Sequence, residues 1–373
     1  MDVFRYLHLM VEQGGSDLFF SVGAPPQLKR EGQSLPIGKA PLPPGSVQQL
    51  AYQIMSQKQI AEFERDLEMN LAIGLEGAGR FRANVYYQRG EVSMVVRHIK
   101  SQIPGIEELG LPKKLEELIM LDRGLILVVG AAGSGKSTTL ASMIDLRNRS
   151  RGGHIVCIED PIEFLHQHQR SIVDQREVGL DTRSFEQALL NVLRESPDVI
   201  MIGEIRDRDA MQHALHYSET GHLCIATLHA TNTTQAIERI CNFFPKEARQ
   251  QVLGDLALNL QAIVGQRLVP GREAKRVAAV ELLLKTPYIA DLIQRDQLDD
   301  IKAAIGRGQE LGLQTFDQHL YALVQAGRIS LDEALRHADS RTDLTLRAKL
   351  ARGFHAEDAE LKVMRDSELH ITP

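Results

Sequence analysis

The segment Gly130-Ala131-Ala132-Gly133-Ser134-Gly135-Lys136-Ser137 follows the apolar run Leu125 to Val129 and precedes a helical pattern that begins at Thr138. A strand, a glycine-rich loop and a helix in this order are typical of a phosphate-binding loop, because the loop's backbone N–H groups close around phosphate oxygens. In such a loop Lys136 would reach the β- and γ-phosphates, and the Ser137 hydroxyl would ligate Mg²⁺. We therefore predict that residues 130–138 bind a nucleotide.

Several apolar runs alternate with helical patterns on either side of this loop. Each run is nearly continuous in apolar residues, as expected for parallel strands that helices cover on both faces. The predicted strands are Leu125 to Val129, His154 to Ile158, Val199 to Ile202 and Leu223 to Leu228; the predicted helices are Phe185 to Leu193, Ala210 to Tyr217 and Thr234 to Asn242. Two further runs, Ala262 to Val269 and Val277 to Leu284, predict a hairpin that extends the sheet. The fold class is therefore α/β.

The pattern changes at other points of the chain, and these changes predict four regions. Residues 1–105 read as a smaller α+β unit, with an antiparallel sheet from Leu67 to Ile99 and capping boxes that open helices at Ser46 and Ser56. Residues 106–285 form the nucleotide-binding core and 286–340 a helical subdomain that includes a capping box at Ser330. Residues 341–373 are predicted to be a partly ordered tail, which is either a solvated end or a docking segment.

Composition excludes several classes of protein. The chain has 373 residues and a formal net charge of −6, which argues against a protein built mainly to coat nucleic acid. Its three cysteines, Cys157, Cys224 and Cys241, show neither a disulfide framework nor zinc-ligand spacing. No transmembrane segment and no signal peptide are apparent. We therefore expect a cytoplasmic protein.

Hydrolysis of a bound triphosphate needs a group that orients water and positive charge that meets the developing anion. Glu159, Asp160 and Glu163 follow one predicted strand and are candidates to orient water, while Glu204 follows another and is a candidate for the metal. The residues alone leave the division of labour between Glu163 and Glu204 open.

Histidines and arginines could complete such a site. His222 and His229 bracket the strand Leu223 to Leu228, and a histidine at a strand tip could sense the γ-phosphate. Arg80, Arg82 and Arg97 lie in the N-terminal unit, from which an arginine could reach the transition state, although surface solvation is the simpler reading.

Linked motifs make the chain resemble a known family. Ile158 to Phe164 resembles the acidic Asp box, Val199 to Asp207 the atypical Walker B motif, and Thr220 to His229 the His box of secretion-superfamily ATPases. Further segments extend the likeness, over about residues 1–340, to the PilT/PilU family of type IV pilus retraction ATPases: Ser16 to Leu18, Gly23 to Pro26, Gly79 to Asn84 and Gln314 to Asp317. The segment Tyr288 to Gln294 is a degraded form of a signature of the retraction motors, and the tail after Asp339 is long. In both features the chain resembles the accessory branch of this family.

The resemblance implies a RecA-like phosphate-loop NTPase domain preceded by a smaller PAS-like α+β domain, with ATP and Mg²⁺ as cofactors. It implies a homo-hexamer, or a ring mixed with a PilT-like ATPase, that acts at the inner-membrane pilus base on a platform protein and supports twitching motility without nucleic acid. The implied roles are Glu163 as base, Glu204 and Ser137 at Mg²⁺, His222 as γ-phosphate sensor, Arg82 and Arg97 as completing arginines, and His229 and Glu31 as nucleotide contacts.

Three alternatives stay open at this stage. The chain could be a catalytically silent scaffold for a PilT-like motor, although intact Lys136, Glu163 and Glu204 argue against that hypothesis. It could be a pilus-extension or type II secretion ATPase, although it lacks their four-cysteine zinc insertion. It could also be a nucleic-acid motor, although no basic stretch interleaved with aromatic residues is present.

Overall fold

The computed structural model describes residues 1–99 and 101–351, which form two β-sheets with helices packed against them. The N-terminal sheet is antiparallel and has the strand order β3-β2-β1-β6-β5-β4. Its elements are α1 Val3–Glu12, β1 Asp17–Phe20, β2 Gln27–Arg30, β3 Gln33–Pro36, α2 Ser46–Tyr52, α3 Gln57–Asp66, β4 Glu68–Leu75, β5 Gly79–Gln88 and β6 Glu91–Ile99.

The second sheet, called the central sheet here, has the order β13-β12-β7-β11-β10-β8-β9, and all its pairs are parallel except β12 with β13. Its strands are β7 Gly124–Val129, β8 Gly153–Glu159, β9 Ser171–Glu177, β10 Val199–Ile202, β11 Leu223–Leu228, β12 Leu260–Pro270 and β13 Arg276–Leu284. The accompanying helices are α4 Lys114–Ile119, α5 Lys136–Ser150, α6 Phe185–Val192, α7 Arg208–Glu219, α8 Thr233–Asn242 and α9 Arg249–Asn259. The predicted α/β class with a parallel sheet is confirmed.

The C-terminal elements are helical: α10 Pro287–Gln294, α11 Ile301–Arg307, α12 Phe316–Gln325, α13 Leu331–His337 and α14 Arg341–Ala351. Leu344 of α14 is fully buried and packs in one cluster with Phe316 and Leu320 of α12. The first part of the predicted tail is therefore an ordered helix, because an apolar side chain anchors it. The rest of the predicted tail, residues 352–373, lies outside the described residues.

Each sheet has its own hydrophobic core. The middle strands β7 and β11 of the central sheet are buried along their whole lengths, as strands covered on both faces must be. A separate cluster joins α1, α2 and α3 to the N-terminal sheet. Within the described residues no helix is long and apolar enough to cross a membrane.

Some local predictions fail for identifiable reasons. The strands β2, β3 and β9 were not predicted. β2 and β3 have four residues each and bury only Leu28 between them, and β9 is an edge strand in which polar residues outnumber apolar ones. The capping box at Ser46 is wrong: Gly45 is the N-cap, and the Ser46 hydroxyl donates to the Pro43 carbonyl instead. The capping box at Ser56 is confirmed, and Ser330 caps α13 through the backbone N–H of Glu333.

Candidate nucleotide-binding site

The glycine-rich loop joins the end of β7 to the start of α5. Gly133 and Gly135 have φ values of +74° and +90°, which residues with a β-carbon rarely adopt. A β-carbon on Gly130 would also lie 2.3 Å from the Ser134 hydroxyl oxygen. The loop therefore needs glycine at these positions, and it closes tightly enough to present its N–H groups to phosphate.

Lys136 is the first residue of α5 and is 9% exposed. Its Nζ donates to the carbonyl oxygens of Gly130 at 3.0 Å and Ala131 at 2.9 Å. Burial lowers the pKa of Lys136 below its ordinary value, and the nearby carboxylates of Glu204 and Glu163 oppose that shift. The ammonium group thus faces negative charge across the loop.

The loop opens on a cavity of about 240 Å³ at the carboxyl edge of the central sheet. The strand register brings β7, β8, β10 and β11 to this edge, because Val129 pairs with Leu228 and Ile158 with Ile202. The predicted site residues that line the cavity are Ala132, Gly133, Lys136, Ser137, Glu163, Glu204 and His229, together with the candidates Glu159 and Asp160. Ligands of open α/β sheets bind at such an edge.

Two side chains, those of Arg206 and His229, hold the Glu204 carboxyl group in place. Arg206 Nε donates to Glu204 Oε2 at 2.7 Å, and His229 Nε2 lies 2.8 Å from Glu204 Oε1. Arg206 Nη1 also donates to Asp160 Oδ2 at 3.1 Å, so one guanidinium joins carboxylates from two strands. Sequence reasoning did not single out Arg206 as a site residue, although its place two residues after Glu204 was a usable signal.

Glu159 differs sharply from Glu163 in environment. The Glu159 side chain is buried, and burial raises its pKa from 4.5 to about 7, while a hydrogen bond of 2.9 Å from Gln175 Nε2 opposes this change. Gln175 Nε2 also donates to the Phe164 carbonyl, so it contacts residues on either side of the segment 160–163. Glu163, by contrast, is exposed at the cavity. Gln175 lies on β9 and was missed because that strand was missed.

The residues suggested for Mg²⁺ fit such an ion. Ser137 and Glu204 line the same cavity, and the Ser134 hydroxyl in the loop is buried without a hydrogen-bond partner. In the described part of the chain no group of three or more His, Cys, Asp or Glu residues is arranged to hold a metal. Mg²⁺ in nucleotide sites usually takes one or two protein ligands and completes its shell with phosphates and water.

His222 lies away from this cavity. It precedes β11 at the amino edge of the central sheet, about 20 Å along the strand from the loop, because β11 is six residues long. Its Nδ1 lies 3.2 Å from the Thr220 hydroxyl and 3.3 Å from the Tyr217 carbonyl oxygen. His222 therefore does not reach the cavity of its own chain, whereas His229 at the other end of the strand does.

Three residues from the N-terminal sheet also lie outside this cavity. Arg82 and Arg97 stand opposite each other on β5 and β6; Arg97 Nε donates to Asp17 at 2.8 Å. Arg82 Nε lies 3.7 Å from the buried carboxylate of Glu177, at the end of β9. Glu31 is exposed at the turn between β2 and β3, with φ +51°. Arg82, Arg97 and Glu31 thus do not line the cavity of their own chain.

Comparison with known proteins agrees with this geometry. A family model described as "Type II/IV secretion system protein" matches residues 45–357. The chain is 52% identical over 351 residues to the type IV pilus ATPase PilU of Pseudomonas aeruginosa, covering 94% of this chain and 92% of PilU. It is 41% identical over 338 residues to the retraction ATPase PilT of the same organism, covering 91% of this chain and 98% of PilT.

A solved structure is similar over nearly the same span. The crystal structure of the pilus retraction motor PilT with bound ADP superposes with a TM-score of 0.86 at 41% identity, covering 92% of this chain and 98% of that one. The family model, the sequence relatives and the PilT structure all indicate the same family. The chain belongs to the type II/IV secretion system protein family and, within it, to the PilT/PilU group of type IV pilus ATPases.

Proposed function

We propose that this chain is a motor ATPase that hydrolyses ATP with Mg²⁺ to assist retraction of type IV pili. The observation that carries this proposal is the cavity in which Lys136 and Ser137 of the glycine-rich loop face Glu159, Glu163 and Glu204. The names of PilU and PilT, and the ADP bound in the PilT crystal, support the nucleotide and the process.

The residues of the cavity divide the chemistry between them. The loop N–H groups and Lys136 would hold the phosphates, and Ser137 and Glu204 would hold Mg²⁺, directly or through water. When bound, Mg²⁺ supplies positive charge that stabilises the phosphate oxygens in the transition state. Arg206 and His229 hold the Glu204 carboxyl group in place at the cavity.

A carboxylate must also orient the attacking water and receive its proton. Glu163 is exposed at the cavity and free to approach water, so we assign it this role. Glu159 lies deeper, and with a pKa of about 7 it can take up a proton near neutral pH. Glu159 is the second candidate for the base.

Motion would come from the N-terminal sheet moving against the central sheet. Glu177, which pairs with Glu159 in the register of β8 and β9, holds Arg82 beside the cavity rather than in it. A γ-phosphate that attracts Arg82 and Arg97 would close the gap, and its loss after hydrolysis would reopen it. The domains proposed for this movement are residues 1–105 and 106–285, with 286–340 as a helical subdomain.

We further propose a cytoplasmic homo-hexamer, or a ring shared with a PilT-like ATPase, that docks on a platform protein of the inner membrane. The chain's greater identity to PilU than to PilT supports an accessory role rather than independent retraction. Twitching motility would then depend on both ATPases.

Turnover by the purified chain tests the enzymatic part of the proposal. Phosphate release from ATP should require Mg²⁺, and Glu163→Gln should retain ATP binding while hydrolysis falls by about 100-fold or more. Glu62→Gln is the matched control, because Glu62 is an exposed carboxylate on α3 that does not line the cavity. No phosphate release from the unaltered, assembled chain would refute the proposed activity.

Retraction in cells tests the biological part. Cells that carry only this chain should fail to retract pili, cells with only the PilT-like companion should retract weakly under load, and cells with both should retract fully. Full retraction by this chain alone would contradict the accessory role.

A further inference from the structure

Gln266 on β12 is buried beside the glycine-rich loop and is 3% exposed. Its Oε1 accepts a hydrogen bond of 2.7 Å from the Thr139 hydroxyl, and both groups are buried. Thr139 lies in the first turn of α5, two residues after Ser137. This contact therefore fixes the start of α5, which carries the proposed phosphate ligand Lys136 and the proposed Mg²⁺ ligand Ser137.

The same residue also lies close to both ends of the loop. A β-carbon on Gly130 would lie 2.5 Å from the Gln266 carbonyl oxygen, and one on Gly135 would lie 2.8 Å from Gln266 Nε2. These approaches are possible only because both positions are glycine. The Gln266 backbone thus lies close to Gly130, and its side chain lies close to Gly135 and bonds to the first turn of α5.

Arg267, the residue after Gln266, anchors β12 on the opposite face of the sheet. Successive side chains of a strand point to opposite faces, so Arg267 points away from the loop. Its guanidinium stacks on Phe316 at 3.8 Å from the ring centroid and donates to Asp339 at 2.7 Å. The backbone that carries Gln266 is therefore anchored to the C-terminal helices and cannot shift freely with the loop.

We propose that Gln266 is a positioning residue for nucleotide binding: it holds the glycine-rich loop and the first turn of α5 in the shape that receives the phosphates. This inference rests on the proposed function, because it assumes that the loop binds nucleotide. A loop that is ordered before binding loses less conformational entropy when the ligand arrives. Without the Gln266 contacts, part of the binding free energy is spent on ordering the loop.

Two variants remove the contact from opposite sides with little change in shape. Gln266→Met removes the amide, and Thr139→Val removes the hydroxyl donor. Each should raise the Kd of MgADP by about five- to tenfold, measured by calorimetry on the full chain. Because each removes the same hydrogen bond, the double variant should bind no more than about twofold worse than either single one. The kcat at saturating ATP should change by less than about twofold, since the reacting groups are untouched.

Gln314→Met is the matched control. The Gln314 amide donates to the Val280 carbonyl at 3.0 Å on β13, and Val280 pairs with Gln266 across the hairpin. This variant therefore loosens the same pair of strands but leaves the hydrogen bond between Gln266 and Thr139 in place. It should lower the thermal midpoint to a degree similar to Gln266→Met while leaving the Kd of MgADP within about twofold of the unaltered value.

The results separate this proposal from the one it rests on. If the unaltered chain binds MgADP but both Gln266→Met and Thr139→Val bind it equally well, Gln266 has no positioning role. If Gln314→Met weakens MgADP binding as much as Gln266→Met does, the proposal also fails, because the loss of affinity then follows from lower overall stability and not from the lost contact with Thr139. If the unaltered chain does not bind MgADP, the proposed function itself fails.

Discussion

Neutralising Glu159 should stabilise the chain at alkaline pH and not at acidic pH. The carboxyl is 8% exposed, and burial raises its pKa from an ordinary 4.5 to about 7. Between these two values the folded state binds a proton that the unfolded state does not, so the free energy of unfolding falls as pH rises. The contribution is fully present below pH 4.5 and is lost as pH rises through about 7.

The size of the pKa shift of Glu159 sets the size of the effect on stability. Raising a carboxyl pKa from 4.5 to about 7 costs the ionised folded state about 3 kcal/mol at high pH. Glu159→Gln stays neutral throughout and avoids this cost. The difference in free energy of unfolding between Glu159→Gln and the unaltered chain should therefore increase by about 2 to 3 kcal/mol from about pH 5 to about pH 8.

Urea denaturation at the two pH values measures the difference. Because the chain contains no tryptophan, helical circular dichroism is a suitable probe, and midpoints are compared with slopes held in common. Glu163→Gln is the matched control, since Glu163 lines the same cavity but its side chain is exposed. A difference for Glu159→Gln that is equal at both pH values would refute the reasoning from burial.

Four further predictions concern the loop and its surroundings. Lys136→Ala should lower kcat/KM for ATP by about 100-fold or more, and Gly135→Ala should weaken nucleotide binding by about tenfold or more because its φ is +90°; near-normal kinetics in either variant would contradict the assigned loop. His229→Ala should raise the Kd of ATP by about tenfold whereas His222→Ala should leave it within about twofold, as measured by calorimetry, and the reverse order would restore His222 to the site. Arg82→Ala should lower kcat by about 100-fold or more with little change in Kd, and unchanged single-turnover hydrolysis would remove Arg82 from the mechanism.

Local patterns were sufficient for the parts of the site that are close together in the chain. The loop from Gly130 to Ser137 was predictable because its glycines, its lysine and the flanking strand and helix are one continuous segment. Glu163, Glu204 and His229 were predictable because each follows an apolar strand, and the carboxyl ends of parallel strands meet at one edge. Periodicity also predicted the hairpin of β12 and β13, since both strands are long and apolar.

The sequence by itself thus determined the α/β class, the phosphate loop and the strand ends that face it, because these depend on short-range patterns. Only the tertiary structure decided that Gln266 packs on Thr139, 127 residues away, that Gln175 holds Glu159, and that Arg82 lies beside Glu177. It also decided that the loop lies beside the His229 end of β11 and not the His222 end. The physical reason is that these contacts depend on strand order and register, which fix neighbours across the sheet and leave no local pattern in the chain.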